Sequence, residues 1–168
     1  AFMKGDIFQD ESRILFICGT DPKVSPPVPL KPGQIAKVKK AVFGLADAPR
    51  EWWLKLSRIL TENGWESLVI DGAAWLLWDA AVEVSARNFS HLKGMIVAHV
   101  DDLLFIGDPD AVQSFDHVGK LLGFGSREET NFVWCGKRIR RAEDKTIRVS
   151  MNEYHQNLKE IYISRSRR

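Results

Sequence analysis

Cysteine is nearly missing from this chain. Cys18 and Cys135 stand far apart in 168 residues, which excludes a disulfide framework or a paired-cysteine metal knuckle and fits an intracellular, reducing compartment. Long hydrophobic runs are missing too: no apolar stretch approaches the roughly 20 residues that span a bilayer, so no membrane partner is expected. The start lacks an initiator methionine and the basic-then-apolar order of a secretory signal. Ala1-Phe2-Met3-Lys4-Gly5 reads as the end of a strand already under way, and the expectation is an N-terminally truncated piece of something longer. A strong bias of charge is also lacking, because 24 Lys and Arg meet 22 Asp and Glu for a formal net charge of +2.

A hydrophobic content of 45% with 27% charged residues describes a soluble globular protein. The length suits one ordinary domain over 1–168 with its own core. Charge is unevenly distributed, for Lys137, Arg138, Arg140, Arg141, Lys145 and Arg148 cluster late and Arg165, Arg167 and Arg168 close the chain. Such a surface suits a polyanionic partner, or equally a solvated strand face with a charged tail.

Ile14-Leu15-Phe16-Ile17 reads as a strand, after which five prolines over 21–33 leave an extended loop ending at Gly33. Order resumes at Gln34 to Val38. A helix follows, with Asp47 as N-cap, Pro49 in the first turn, a stripe of Trp53, Leu56 and Leu60 widened by Trp52 and Ile59, and Asn63-Gly64 as its end. Residues 73 to 78 form a short aromatic strand. Met95 to Gly107 make a hairpin, and Asp108-Pro109 opens a second helix with Ala111, Phe115, Val118 and Leu122 on one face and Gly123 as its stop. Phe132 to Ile139 and Thr146 to Ser150 read as a second hairpin turning through Glu143-Asp144, and Ser150 to Glu153 has capping-box spacing for a last helix. The order predicts an α+β fold with helices on one face of a mainly antiparallel sheet.

Two constellations carry chemistry. Asp101-Asp102 stands between the apolar runs Met95 to Val100 and Leu103 to Ile106. Near a sheet covered on both faces, adjacent carboxylates repel and one titrates high unless a cation neutralises them, so the pair reads as a magnesium site. The alternative is a type I′ turn, which favours Asp, with both side chains in water. The second constellation is Lys39 to Trp53, where Gly44 allows close approach and Lys39, Lys40 and Arg50 gather positive charge near a helix N-terminus, as phosphate binding requires. Solvated lysines and a locally paired Arg50 are the competing reading.

Together these stretches resemble the reverse transcriptases of copia-type retrotransposons. The family's middle motif, roughly Lys-Ala-Leu-Tyr-Gly-Leu-Lys-Gln-Ala-Pro-Arg-x-Trp, is similar to Lys40 through Trp52, and its Tyr-Val-Asp-Asp-Leu-Leu-Ile-x-Gly to His99 through Gly107. Ala1 to Asp6 is similar to the Ala-Phe-Leu-x-Gly-Asp that follows the family's first catalytic aspartate, and Phe132 to Ile139 with Ile147 to Tyr154 to its later Phe-Leu-Gly and Leu-Ser-Gln stretch. The resemblance covers nearly the whole chain. It implies a polymerase palm with two Mg2+ ions, catalytic and metal-ligating Asp101 and Asp102, Phe2 against the sugar, and Phe43 and Gly44 beneath the incoming nucleotide. Lys39, Lys40, Arg50, His99, Lys137 and Arg138 would contact nucleic acid.

Implied partners are an RNA or DNA template-primer, deoxynucleoside triphosphates and the remainder of a Pol polyprotein, in a cytoplasmic particle or the nucleus. Departures from the pattern are Ala46 for lysine, Asp47 for glutamine and His99 for tyrosine, with Arg127 roughly where a lysine helps protonate pyrophosphate. The aspartate expected four residues before Ala1 is not in the chain, which implies that it is inactive alone. Two other readings stay open: a noncatalytic retroelement remnant that binds nucleic acid, and a metal-dependent phosphohydrolase.

Overall fold

Strand alternation and a 3.6-residue helical stripe account for the architecture. The computed structural model describes residues 6–7, 16–18, 31, 34–40 and 45–159. Apart from Lys31, the Pro-rich loop expected over 21–33 lies outside the described residues. The chain divides into two compact units, Ala1–Gly123 and Phe124–Arg168.

In the first unit β1 (Phe16–Cys18) pairs antiparallel with β2 (Ile35–Lys37). A second antiparallel sheet has the order β3 (Trp65–Leu68), β4 (Asp71–Trp78), β5 (Leu92–His99), β6 (Asp102–Gly107). Helices α1 (Ala48–Glu62) and α2 (Pro109–Leu122) complete the unit. Register places Trp65, Trp75, Ile96 and Phe105 on one face of this sheet. That face meets the helices: Trp65 Nε1 donates to Ser114 Oγ at 3.0 Å, and Phe105 stacks on Phe115 with centroids 4.4 Å apart. Trp65, Trp75, Leu56, Leu60, Ile96 and Val118 are fully buried and form the core. The predicted α+β class, with helices packed against an antiparallel sheet, is what the chain adopts.

Helix α2 follows its sequence signals closely. Asp108 Oδ1 accepts from the Ala111 N–H at 2.9 Å, Pro109 fills the first turn, the four expected residues are buried, and Gly123 closes the helix at φ +61°. Helix α1 departs in two respects. Asp47 occupies the N-cap position but has near-helical dihedrals and no side-chain cap bond, because a backbone turn from Leu45 to Ala48 (3.1 Å) carries the entry. The buried stripe is Ala48, Trp52, Leu56, Ile59 and Leu60, whereas Trp53 is 38% exposed. An unbroken i, i+4 row from Ala48 to Leu60 sets that phase.

Strand β3 has no sequence signal of its own, since Trp-Glu-Ser-Leu is too short to display a period. In the second unit the run Phe132 to Ile139 is not one strand. It turns at Cys135 (φ +50°) and Gly136 (φ +72°), giving β7 (Asn131–Trp134) and β8 (Lys137–Arg141), with β9 (Ile147–Ser150) completing an antiparallel meander. Two successive positive φ values are what a type I′ hairpin turn requires. The turn through Glu143-Asp144 stands as expected, with Asp144 Oδ1 accepting from the Thr146 N–H at 2.9 Å. A short α3 (Asn152–Gln156) follows.

Sheet and helix approach closely at Gly94 and Gly107, which pair across β5 and β6 beneath Ala111. A Cβ on Gly94 would lie 2.7 Å from the Ala111 Cβ, and one on Gly107 2.6 Å. Gly94→Ala should therefore destabilise the protein by about 1–3 kcal/mol, an overpacking cost, read as a lower urea midpoint. Gly125→Ala, whose Cβ meets nothing within 4 Å, should stay within about 0.5 kcal/mol of the parent.

The α2 cap also carries a pH signature. The Ala111 N–H, aided by the Lys93 ammonium at 3.1 Å and opposed by modest desolvation, holds the Asp108 carboxyl below its usual value of 3.8. A carboxyl depressed in the folded state stabilises above its unfolded pKa, and that contribution is lost as pH falls through the folded value. Asp108→Asn keeps a capping oxygen but removes the titration. Its melting temperature should fall less steeply than the parent's as pH drops from 3.8 downward, and parallel acid limbs would contradict this account.

Candidate active site at the sheet tip

Pairing of His99 with Asp102 leaves Val100 and Asp101 as a two-residue turn between β5 and β6. Only Val100 of the two has positive φ, +57°. That excludes the type I′ turn, which needs positive φ at both central residues, and sets a valine where the backbone favours glycine. A β-branched residue there is a steric outlier. The two carboxylates accordingly differ in setting: Asp101 is on the turn, while Asp102 is the first residue of β6. Alternation puts His99 and Asp102 on the face that also carries Met95, Val97, Leu104 and Ile106, opposite the face that meets α2.

Asp101, Asp102 and His99 are all exposed. The expectation of a sheet covered on both faces near the tip is corrected here: Val97 and Leu104 are only half-buried and Ile106 is 63% exposed. No charged side chain is buried among the described residues, so water solvates the adjacent carboxylates.

Two indoles fix this tip. Trp52 Nε1 donates to the Val100 carbonyl at 2.9 Å, and Trp53 Nε1 to the Gly72 carbonyl at 2.8 Å. Because Ala74 pairs with Val97, continuing that register sets Gly72 beside His99. Successive residues of α1 thus hold the ends of adjacent strands. The helix of the second sequence constellation and the Asp-Asp hairpin are brought together, and Arg50 stands in the first turn of that helix, exposed, with Glu51 at 3.9 Å. The exposed Lys39 has no described link to the tip, and Lys40 forms an isolated antiparallel bridge with Ile7. Phe2, Phe43 and Gly44 lie outside the described residues.

A further tie has no counterpart in the sequence motifs. Asp6 bonds Arg58 at 2.9 Å and Lys55 at 3.3 Å, and Arg58 also reaches Glu62 at 3.3 Å. Burial pulls the Asp6 carboxyl upward, but hydrogen bonds and charge from Arg58 and Lys55 prevail and hold it below the ordinary value. Asp6 is thereby attached to α1. Nothing in the spacing of Asp6 and Arg58 signals that pairing.

In the second unit, β8 alternation places Lys137 and Arg138 on opposite faces, so they do not form one surface. A hard divalent cation takes about six oxygen ligands and usually two or more protein donors. Among the described residues no cluster of three or more acidic, histidine or cysteine side chains is arranged to hold a metal. The Asp101-Asp102 pair alone does not make a complete two-ion site.

The fold and tip define an α+β unit with paired carboxylates on a short hairpin. No protein-family model matches the chain, and no solved structure matches it. The chain is similar to a curated relative, the Retrovirus-related Pol polyprotein from transposon RE1 of Arabidopsis thaliana, with 27% identity over 104 residues. That stretch is 61% of this chain but 6% of the relative's length. The similarity supports a retrotransposon Pol-related fragment. Among the described residues no helix is long and apolar enough to cross a membrane.

Trp52→Phe removes the bond to Val100 and part of a buried ring. It should cost about 1–3 kcal/mol in urea unfolding. Trp53→Phe, at a half-exposed site, should cost about 1 kcal/mol or less.

Proposed function

We propose that this chain is part of the RNA-directed DNA polymerase region of a retrotransposon Pol polyprotein, with Asp101 and Asp102 as metal-binding carboxylates of templated nucleotidyl transfer. The observation that carries the reading is the exposed Asp101-Asp102 tip, locked by the Trp52 indole to the helix in which the Lys40 to Trp52 motif ends. Similarity to a retrotransposon Pol polyprotein supports the same class. Rigid placement suits a group that must orient reactants, since misplacement by about 1 Å can cost on the order of 100-fold in rate.

Two carboxylates fall short of the donor set for two magnesium ions, so a further carboxylate from the larger polyprotein completes the site. What this chain contributes is position. The Val100 turn carries Asp101, while Asp102 stays in the β6 ladder beside His99. Arg50 supplies a positive charge on the adjoining helix, suited to the template backbone.

The test is primer extension by the chain embedded in its Pol region, using an RNA template, a DNA primer and Mg2+. Asp102→Asn should lower incorporation by about 100- to 1,000-fold, the scale of losing one preorganised charged group. Full activity in that variant would sink the proposal. The isolated chain should bind Mn2+ weakly and extend no primer; extension by the isolated chain would refute the requirement for another carboxylate.

A further inference from the structure

We infer that Ser126 is a phosphorylation site for a serine kinase that requires a carboxylate three residues after the acceptor, and that the Arg127–Glu129 ion pair restrains its use. Two hydroxyl residues of the chain have a carboxylate at that spacing, Ser126 with Glu129 and Ser150 with Glu153. Sequence alone does not separate them, but their settings do. Ser150 ends β9, is half-buried and pairs with Arg138 of β8, so presenting it to an enzyme would break the ladder of the meander.

Ser126 stands in the stretch 124–129, which has neither helix nor strand, and every residue from Gly125 to Thr130 is exposed. A Cβ on Gly125 would meet nothing within 4 Å, so the chain just before the serine is open as well. The Ser126 hydroxyl has no hydrogen-bond partner among the described residues. This stretch opens the second unit, directly after Gly123 closes α2. A segment held by so few contacts opens locally at little cost. An acceptor hydroxyl needs that freedom, because it must reach both the catalytic aspartate and the triphosphate in a kinase cleft.

Charge pattern supplies the selectivity. Glu128 and Glu129 follow the acceptor, a pattern suited to a basic substrate groove. Arg127 opposes it, for its Nε lies 3.1 Å from Glu129 Oε1, with the two side chains 46% and 69% exposed. An exposed pair of this kind withholds the carboxylate by about two- to fivefold. In the transfer, Ser126 Oγ forms a bond to the γ-phosphorus of ATP and the bond from that phosphorus to the β,γ-bridging oxygen breaks. ADP leaves, and the hydroxyl proton passes to the catalytic aspartate of the kinase. The product carries about 1.5–2 additional negative charges at neutral pH, which nearly cancels the formal net charge of +2. The new phosphate also offers Arg127 charge-assisted hydrogen bonds in competition with Glu129. The site needs neither Asp101 nor Asp102 and does not rest on the polymerase proposal.

Its test incubates the whole chain with ATP and casein kinase II, a kinase that selects acidic residues after the serine. Phosphopeptide mass spectrometry locates the group, and uptake of labelled phosphate gives the rate. Ser126 should carry the phosphate and Ser150 none, and Ser126→Ala should abolish uptake. Glu129→Gln should slow it about tenfold or more, whereas Arg127→Ala should speed it about two- to fivefold by freeing Glu129. These exposed positions should leave the urea midpoint unchanged, so the rates report recognition rather than unfolding. Phosphate on Ser150 in place of Ser126, or an unchanged rate in Glu129→Gln, would overturn the site. An Arg127→Ala chain modified no faster than the parent would overturn the restraint.

Discussion

The paired indole bonds from Trp52 and Trp53 are the constraint on which the rest of the first unit depends. Two adjacent residues of one helix cannot move independently, so their hydrogen bonds to Val100 and Gly72 fix both the rotation of α1 and its position along the sheet. Rotation decides which row is buried. With Trp52 turned toward the hairpin, Ala48, Leu56 and Leu60 fall on the core side by helical spacing, and Lys55 and Arg58 are left where Asp6 reaches them. A bond of this type contributes about 1 kcal/mol by itself. Its larger effect is to exclude other packings of an amphipathic helix whose stripe, judged by hydrophobicity alone, has two candidate centres one residue apart.

A second constraint acts at the other helix. Gly94 and Gly107 open a flat patch in the sheet, Ala111 fills it, and the Asp108 cap starts the helix three residues earlier. Lys93, the residue before Gly94, reaches Asp108 at 3.1 Å and Asp110 at 3.3 Å, and those carboxylates push its ammonium above the ordinary lysine value. Helix start, strand register and surface charge are therefore coupled within a few residues. Local and tertiary preferences agree there, as a well-specified fold requires.

That agreement explains what was legible in the sequence. Helix α2 could be read almost residue by residue because its cap, its stripe and its terminating glycine are all local signals. The phase of α1 could not, because Trp52 and Trp53 are equally apolar and the choice between them is made by carbonyls on distant strands. The break at Cys135-Gly136 is marked only by a single glycine between the apolar Phe132 to Trp134 and the basic Lys137-Arg138, and strand β3 was too short to show its alternation. At the candidate site the Asp101-Asp102 hairpin was visible in outline. Its turn type was not, since nothing local announces that a valine will take the left-handed conformation. The late basic cluster was visible only as composition; strand alternation sorts it into faces and separates Lys137 from Arg138.

The two-residue turn at Val100-Asp101 also gives Asp102 a role in folding. Side chains in a strand alternate, so sliding β6 by one position against β5 would exchange its two faces. Asp102, now in water beside His99, would then point toward the side where Phe105 meets Phe115 and Ile96 is fully buried. An unpaired carboxylate in such a place costs several kcal/mol. The misaligned hairpin meets that penalty when α2 packs against it, so the same side chain proposed to hold a metal ion also serves as a proofreading device for the sheet.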